Sequence, residues 1–177
     1  GNNEFTVNIA LMESNRAIAS VVYVPYLKKI YLAELGAGAW LKEGVEPDAE
    51  ANYSFERVLE GLVRLPRVGE KQGPLRVAVS RSHQTEETAA HIDTLRKEHP
   101  DLEVVEQGSS YKFCLLAEGV VDYYPRTTHT YEWDTAAGEL ILREAGGSTL
   151  ALPSNERLLY NKEDLHNPWF VARRAGV

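Results

Sequence analysis

The sequence predicts an α/β chain, an α+β layered sandwich, on three observations. Apolar and polar residues alternate with period two through Phe5–Leu11, a strand–helix–strand rhythm sets in after Pro74, and an apolar helix is bounded by Asp134 and Gly146-Gly147. Alternation of the first kind marks antiparallel strands with one buried face, whereas the later rhythm marks an α/β unit.

Phe5, Val7, Ile9 and Leu11 alternate with Thr6, Asn8 and Ala10, giving a first strand; Glu13-Ser14-Asn15-Arg16 has turn composition, and Ala17–Val24 is a second strand. Pro25–Lys29 separates it from a third over Ile30–Leu35. Gly36-Ala37-Gly38-Ala39-Trp40 reads as a tight turn or a close backbone approach. Residues 1–47 thus form an antiparallel meander. Residues 48–73 lose periodicity around Pro47, Pro66, Gly69 and Gly73 and read as a connection, with one short helix around Phe55–Leu62.

In residues 74–177, Leu75–Ser80 is a short strand and Thr85–Glu98 a helix, with acids in its first turn and Arg96-Lys97 in its last. Leu102–Val105 is a strand. The next helix places Phe113, Leu116, Ala117, Val120 and Val121 on one face, and Asp122-Tyr123-Tyr124 returns to β. In the helix after Trp133 the apolar positions Ala136, Ala137, Leu140, Ile141 and Ala145 recur at helical spacing. Asn167–Ala172 closes the chain with a short strand of the same sheet.

Composition narrows the function. With 177 residues, 44% hydrophobic and 25% charged, the chain is one compact domain or parts of two. No apolar run approaches the roughly 18–20 residues that span a bilayer, and Gly1-Asn2-Asn3-Glu4 resembles no signal peptide, so a cytoplasmic protein is expected. Gly1 itself reads as a residue left by cloning. A single cysteine, Cys114, excludes a disulfide framework and a multi-cysteine zinc site; buried packing is its expected role, and oxygen ligands for a hard cation are the metal chemistry left. A net charge of −7 argues against a nucleic-acid polymer as partner and for a small molecule.

Four places carry candidate chemistry. Asp134, at the mouth of a small-residue helix, is either an N-cap or a metal ligand, and the two roles can coexist. Gly108-Ser109-Ser110-Tyr111-Lys112 joins a strand to a helix start, where backbone N–H groups, two hydroxyls and an ammonium could meet a phosphate; otherwise Ser109 is a cap and Lys112 a solvated side chain. Ser80-Arg81-Ser82-His83 follows a strand end, where open α/β sheets place ligand loops; His83 is a ligand contact or a surface histidine. Arg126 either grips a phosphate with its planar fork or forms a surface salt bridge.

The block Trp133-Asp134-Thr135-Ala136-Ala137-Gly138, its apolar helix and Gly146-Gly147 resemble a signature of the inositol-monophosphatase superfamily of metal-dependent phosphomonoesterases. Glu4–Leu11, Val21–Pro25, Ser80–His83, Gly108–Ser110, Lys112–Leu115, Ala117–Gly119, Tyr124–Arg126 and Asn167-Pro168 extend the resemblance, in order and spacing, to its 3'(2'),5'-bisphosphate nucleotidases of the bacterial CysQ type. The resemblance implies that Asp134 is catalytic and ligates Mg2+ facing the phosphate that is cleaved. It also implies that His83, Ser109, Ser110, Lys112 and Arg126 bind a bisphosphorylated nucleotide, with removal of the 3'-phosphate of adenosine 3',5'-bisphosphate to give AMP. A cation at Arg126, where inositol-cleaving members are expected to have a carboxylate, favours a substrate with a second anionic group over an inositol or sugar phosphate. Members also carry an upstream Glu and an Asp-Pro-(Ile/Leu)-Asp-Gly-Thr motif that supply most metal ligands, and neither occurs in this chain. The resemblance therefore makes the chain the C-terminal two-thirds of an enzyme, inactive or nearly so alone unless it serves as a non-catalytic nucleotide-binding module. It further implies exposed sheet surface near Phe5–Trp40 that favours self-association.

Overall fold

The computed structural model describes residues 4–47, 58–66, 73–81 and 85–177. Among them, one sheet runs in the order β1 (Val7–Glu13), β2 (Arg16–Val24), β3 (Lys29–Glu34), β4 (Gly38–Lys42) and β5 (Val63–Arg64), every pair antiparallel. Strands β1 and β2 pair from Val7↔Tyr23 to Glu13↔Arg16, with a shift of register between Leu11 and Met12. A 3₁₀ turn, Pro25–Leu27, leads into β3 through Lys28, whose φ of 53° is left-handed.

The segment expected as a tight turn or a close backbone approach at Gly36–Trp40 is a turn only as far as Ala37 and a strand from Gly38 onward, where a Cβ on Gly38 would lie 2.9 Å from Arg64 Nη2. The reversal occupies only Leu35–Ala37, closed by Ala37 N–H donating to the Glu34 carbonyl at 3.0 Å. Ala39 and Leu41 then point alternately into the core, 0% and 1% exposed. Small residues carry a turn composition, but burial and pairing to β3 decide the conformation here. Of the short helix expected around Phe55–Leu62, Val58 and Leu59 are helical, and Phe55–Arg57 lie outside the described residues.

The second sheet has the order β7 (Glu103–Gln107), β6 (Arg76–Ser80), β8 (Tyr123–Arg126), β10 (Phe170–Arg173) and β9 (Ser148–Ala151). Strand β6 is parallel to β7 and β8, while β10 is antiparallel to β8 and β9. The tail strand belongs to this sheet, as expected, and lies between β8 and β9. Strand β9 was not foreseen, because Gly146-Gly147 reads as a helix end with nothing strand-like required after it.

Helices cover both faces of the second sheet. Helix α1 (Glu86–Glu98) is capped by Thr85, whose side chain accepts from Thr88 N–H, and packs on the outer face of the second sheet; Ile92, Leu102, Val77, Val79, Tyr123 and Val171 meet there. Helix α2 (Tyr111–Glu118) and helix α3 (Glu132–Glu144) pack on each other, α3 against β1–β4 and α2 against β8 and β10. Their approach is close: a Cβ on Gly138 would lie 2.7 Å from Phe113 Cβ. Helix α2 ends earlier than its apolar spacing suggests. Gly119, at φ 80°, closes it with bonds to the Leu115 and Leu116 carbonyls, leaving Val120 and Val121 outside the helix.

One apolar cluster spans both sides of Pro74, running from Ala17, Val22, Tyr31 and Leu41 to Phe113, Leu140, Ile141 and Phe170. Cys114 lies inside it, fully buried. The outer face of the first sheet is different. Phe5, Val7, Ile9 and Leu11 are 45–62% exposed, beside a concavity of about 820 Å³ lined by Ile18, Leu32, Trp40 and Leu62. Among the described residues no helix is long and apolar enough to cross a membrane.

Candidate functional site

The C-terminal ends of β6 and β8, the entry to α2 and the first turn of α3 converge on one cleft of about 300 Å³. Ser80, Ser109, Ser110, Lys112, Arg126 and Asp134 line it together with His129, Thr130 and Tyr131. Five expected contacts are thus brought together, and His83 lies outside the described residues.

Asp134 is the third residue of α3, not its N-cap. The N-cap is Tyr131, and Asp134 reaches back so that Oδ2 accepts the Tyr131 N–H at 2.9 Å. A carboxylate there also faces the positive end of the helix dipole. Oδ1 has no hydrogen-bond partner among the described residues, so capping leaves half of the carboxylate for a ligand. Asn167 fixes the strand-to-helix entry: Nδ2 donates to Thr130 Oγ1, the Tyr131 carbonyl and Thr135 Oγ1 at 2.8–3.1 Å.

The Gly108–Ser110 loop differs from its expected form. Ser109 adopts a left-handed conformation at φ 56°, and its hydroxyl lies 3.5 Å from Tyr111 N. Lys112 is not solvated. Its side chain is 2% exposed and donates to the carbonyls of Gln107 at 3.0 Å and Ser109 at 2.7 Å, holding the loop from within. Burial, then the neighbouring Arg126, lowers its pKa to about 7. The Gly108 N–H donates to Glu4 Oε2, and Glu4 Oε1 accepts from Arg81, so a carboxylate of the N-terminal segment occupies a donor expected to await an anion. Ser110 is tied to the same region, 2.8 Å from Thr6 Oγ1 and 2.7 Å from Asn8 Oδ1.

Arg126 forms no surface salt bridge in the described structure; it donates from Nη2 to the His129 carbonyl at 3.3 Å, and its Nε is buried without a hydrogen-bond partner. Beside it, burial raises the Tyr124 phenol to about 12.

Across the first turn of α3, Glu132 does structural work. Its carboxylate accepts from Asn161 N–H at 2.7 Å, Lys162 N–H at 3.2 Å and the Lys162 ammonium; burial opposes its ionisation, but these donors hold its pKa below the usual range. A smaller cleft of about 290 Å³ lies on this side, between β1 and α3, lined by Asn8, Met12, Trp133 and Tyr160.

Among the described residues no group of three or more His, Cys, Asp or Glu side chains could hold a metal ion. Asp134 by itself does not make a magnesium site. Sequence reasoning missed Glu4, His129 and Tyr131. The available signal for the last two was an aromatic run, His129-Thr130-Tyr131-Glu132-Trp133, too polar to pack as core.

Fold and cleft define an α/β protein with a cationic, hydroxyl-lined site at a helix entry, and residues 1–171 match the inositol monophosphatase family. The chain belongs to that family. Within it the chain is 40% identical over 145 residues to the 3'(2'),5'-bisphosphate nucleotidase CysQ of Salmonella typhimurium, covering 82% of this chain and 50% of that protein. It is 34% identical over 172 residues to the protein of the same name from Haemophilus influenzae, covering 96% and 56%. The crystal structure of CysQ from Bacteroides thetaiotaomicron, described as a bacterial member of the inositol monophosphatase family, superposes with a TM-score of 0.90 at 41% identity over 99% of this chain and 64% of that one. The chain spans about half the length of the curated relatives it matches.

Proposed function

We propose that this chain is the substrate-binding part of a magnesium-dependent phosphomonoesterase that removes the 3'-phosphate of adenosine 3',5'-bisphosphate, giving AMP and phosphate. One observation carries the choice of substrate: Arg126 stands in the cleft with Lys112 and Ser109, a fixed cation where a second anionic group of the substrate would lie. The names of the CysQ relatives support the same reading. In it Ser109, Ser110, Arg126 and His83 bind the nucleotide, and residues 74–177 form the substrate-binding domain behind a connection at 48–73. Lys112 acts partly from behind, by shaping the Gly108–Ser110 loop.

Mg2+ would polarise the phosphate that leaves and acidify the attacking water. Asp134 would supply one ligand through its uncommitted oxygen. Since no group of three or more metal-ligating side chains gathers among the described residues, we propose that the chain alone has little or no activity. A cytoplasmic location is part of the same proposal, as is self-association through Phe5, Val7, Ile9 and Leu11. Light scattering of the chain at high concentration checks the latter; a monomer throughout would count against it.

The decisive test is phosphate release by the complete protein from adenosine 3',5'-bisphosphate and from inositol 1-phosphate. Preference for the nucleotide is expected, and preference for the inositol ester would favour a sugar phosphatase instead. In the complete protein Asp134→Asn should lower turnover and weaken dependence on Mg2+, whereas Arg126→Ala should mainly raise KM. Unaltered metal dependence in Asp134→Asn would reduce the residue to a cap.

A further inference from the structure

Four aromatic side chains stand in a row of ring contacts at the rim of the cleft. Trp133 and Tyr131 are parallel within 8°, with ring centroids 4.5 Å apart. Tyr131 meets His166 at 4.5 Å, tilted 36°, and His166 meets His129 edge-on at 6.1 Å. All four are exposed, Trp133 by 57% and Tyr131 by 40%. Such rings ordinarily contribute most when removed from water, so a stack held out in solvent has surface to offer a ligand.

The stack is also held rigidly. Tyr131 and His166 pair as an antiparallel bridge, flanked by Asn167 N–H to the Thr130 carbonyl at 2.8 Å and Glu132 N–H to the Leu165 carbonyl at 3.0 Å. Asp164 Oδ1 lies 2.7 Å from His166 Nδ1 and fixes that ring. Its connection to the cleft is direct: His129 and Tyr131 are lining residues, and the His129 carbonyl accepts from Arg126.

We infer that His129 and His166, backed by Tyr131 and Trp133, form the stacking surface for a purine base whose phosphate is gripped at Arg126. The inference rests on the phosphate-binding reading of the cleft and adds the group that the ligand carries beyond its phosphates. Both faces of Tyr131 are covered by its neighbours, so the base lies against the imidazole end of the stack, with the Tyr131 edge beside it. A purine offers a wide planar face; inositol and simple sugar phosphates offer none.

Calorimetric titration of the chain with AMP and with ribose 5-phosphate separates base from phosphate. AMP should bind about tenfold more tightly, the size of one stacking contact. The double variant His129→Ala/His166→Ala should lose that tenfold and bind both ligands equally, with ribose 5-phosphate unaffected. The single variant His129→Gln, which keeps a polar side chain of similar reach, should show the same loss of preference. Equal affinity for both ligands in the unsubstituted chain overturns the stacking surface, and so does retention of the tenfold preference in His129→Gln. Arg126→Ala tests the underlying reading separately, since it should weaken both ligands alike. If it weakens neither while the preference for AMP persists, the phosphate reading falls and the stacking surface stands. Failure of both ligands to bind the unsubstituted chain overturns both readings.

Discussion

The junction of β6, β8 and β10 and the cleft at the head of α3 each place an aspartate close to arginine, and the two use it in opposite ways. Asp122 is fully buried; Oδ2 accepts from Arg76 N and Nε at 2.8 and 3.3 Å, and Oδ1 meets Arg76 Nη2 at 3.3 Å and Arg174 Nε at 2.7 Å. Asp134 is half-buried and uses one oxygen for one backbone N–H. A carboxylate engaged on both oxygens by two guanidinium groups is part of the frame. One that is oriented by a single bond, with a guanidinium nearby that does not pair with it, retains capacity for a ligand.

The largest test of that contrast is Asp122→Asn, which leaves Arg76 and Arg174 facing a neutral amide in a buried junction. A loss of about 3–5 kcal/mol in urea unfolding is expected, and a loss under about 1 kcal/mol would erase the distinction. Next comes Lys112→Met, which strips the Gln107 and Ser109 carbonyls of their donor and should cost roughly 1–3 kcal/mol. Lys112 also sets a pH signature. Its folded pKa, about 7, lies below the ordinary lysine value of 10.5, so the unfolded chain binds more protons between those limits. Its contribution to stability therefore rises with pH through that window, and its penalty is full below about pH 7. Comparing unfolding of the wild type and Lys112→Met from pH 6 to 10 should show that slope in the former and its loss in the latter. Smallest is Asp134→Asn, whose amide oxygen still accepts the Tyr131 N–H, with an expected cost below about 1 kcal/mol. A much larger cost would place Asp134 with Asp122, as structure.

How far the sequence reveals the two regions follows from the range of the forces involved. Helix α1 shows its cap, acidic first turn and basic last turn within one stretch, and β1–β3 show their period. Strand β4 is misread because Gly38 and Ala39 carry little β propensity, and only the pairing Glu34↔Gly38 through Ile30↔Lys42 commits them. Asp134, Ser109, Lys112 and Arg126 were legible as a group through the resemblance. That Lys112 would be buried was not, since lysine burial depends on carbonyls that the loop presents only once folded. The partnership of Glu4 with Gly108 was equally hidden, because nothing local to either residue announces the other.

The bonds that complete the Gly108–Ser110 loop carry a consequence for how the molecule assembles. Ser110 meets Asn8 and Thr6 across 102 and 104 residues of chain, and Gly108 meets Glu4 across 104. Contacts of such separation bear the loop-closure entropy of everything between them and form after local hairpins and helices. The order of events is then set by topology: the β1–β2 hairpin and α2 can arise early and separately, while the Gly108–Ser110 loop acquires its shape only when the two halves dock. A nucleotide that binds there would register only molecules that have finished folding, so ligand-dependent protection would appear last along the refolding time course.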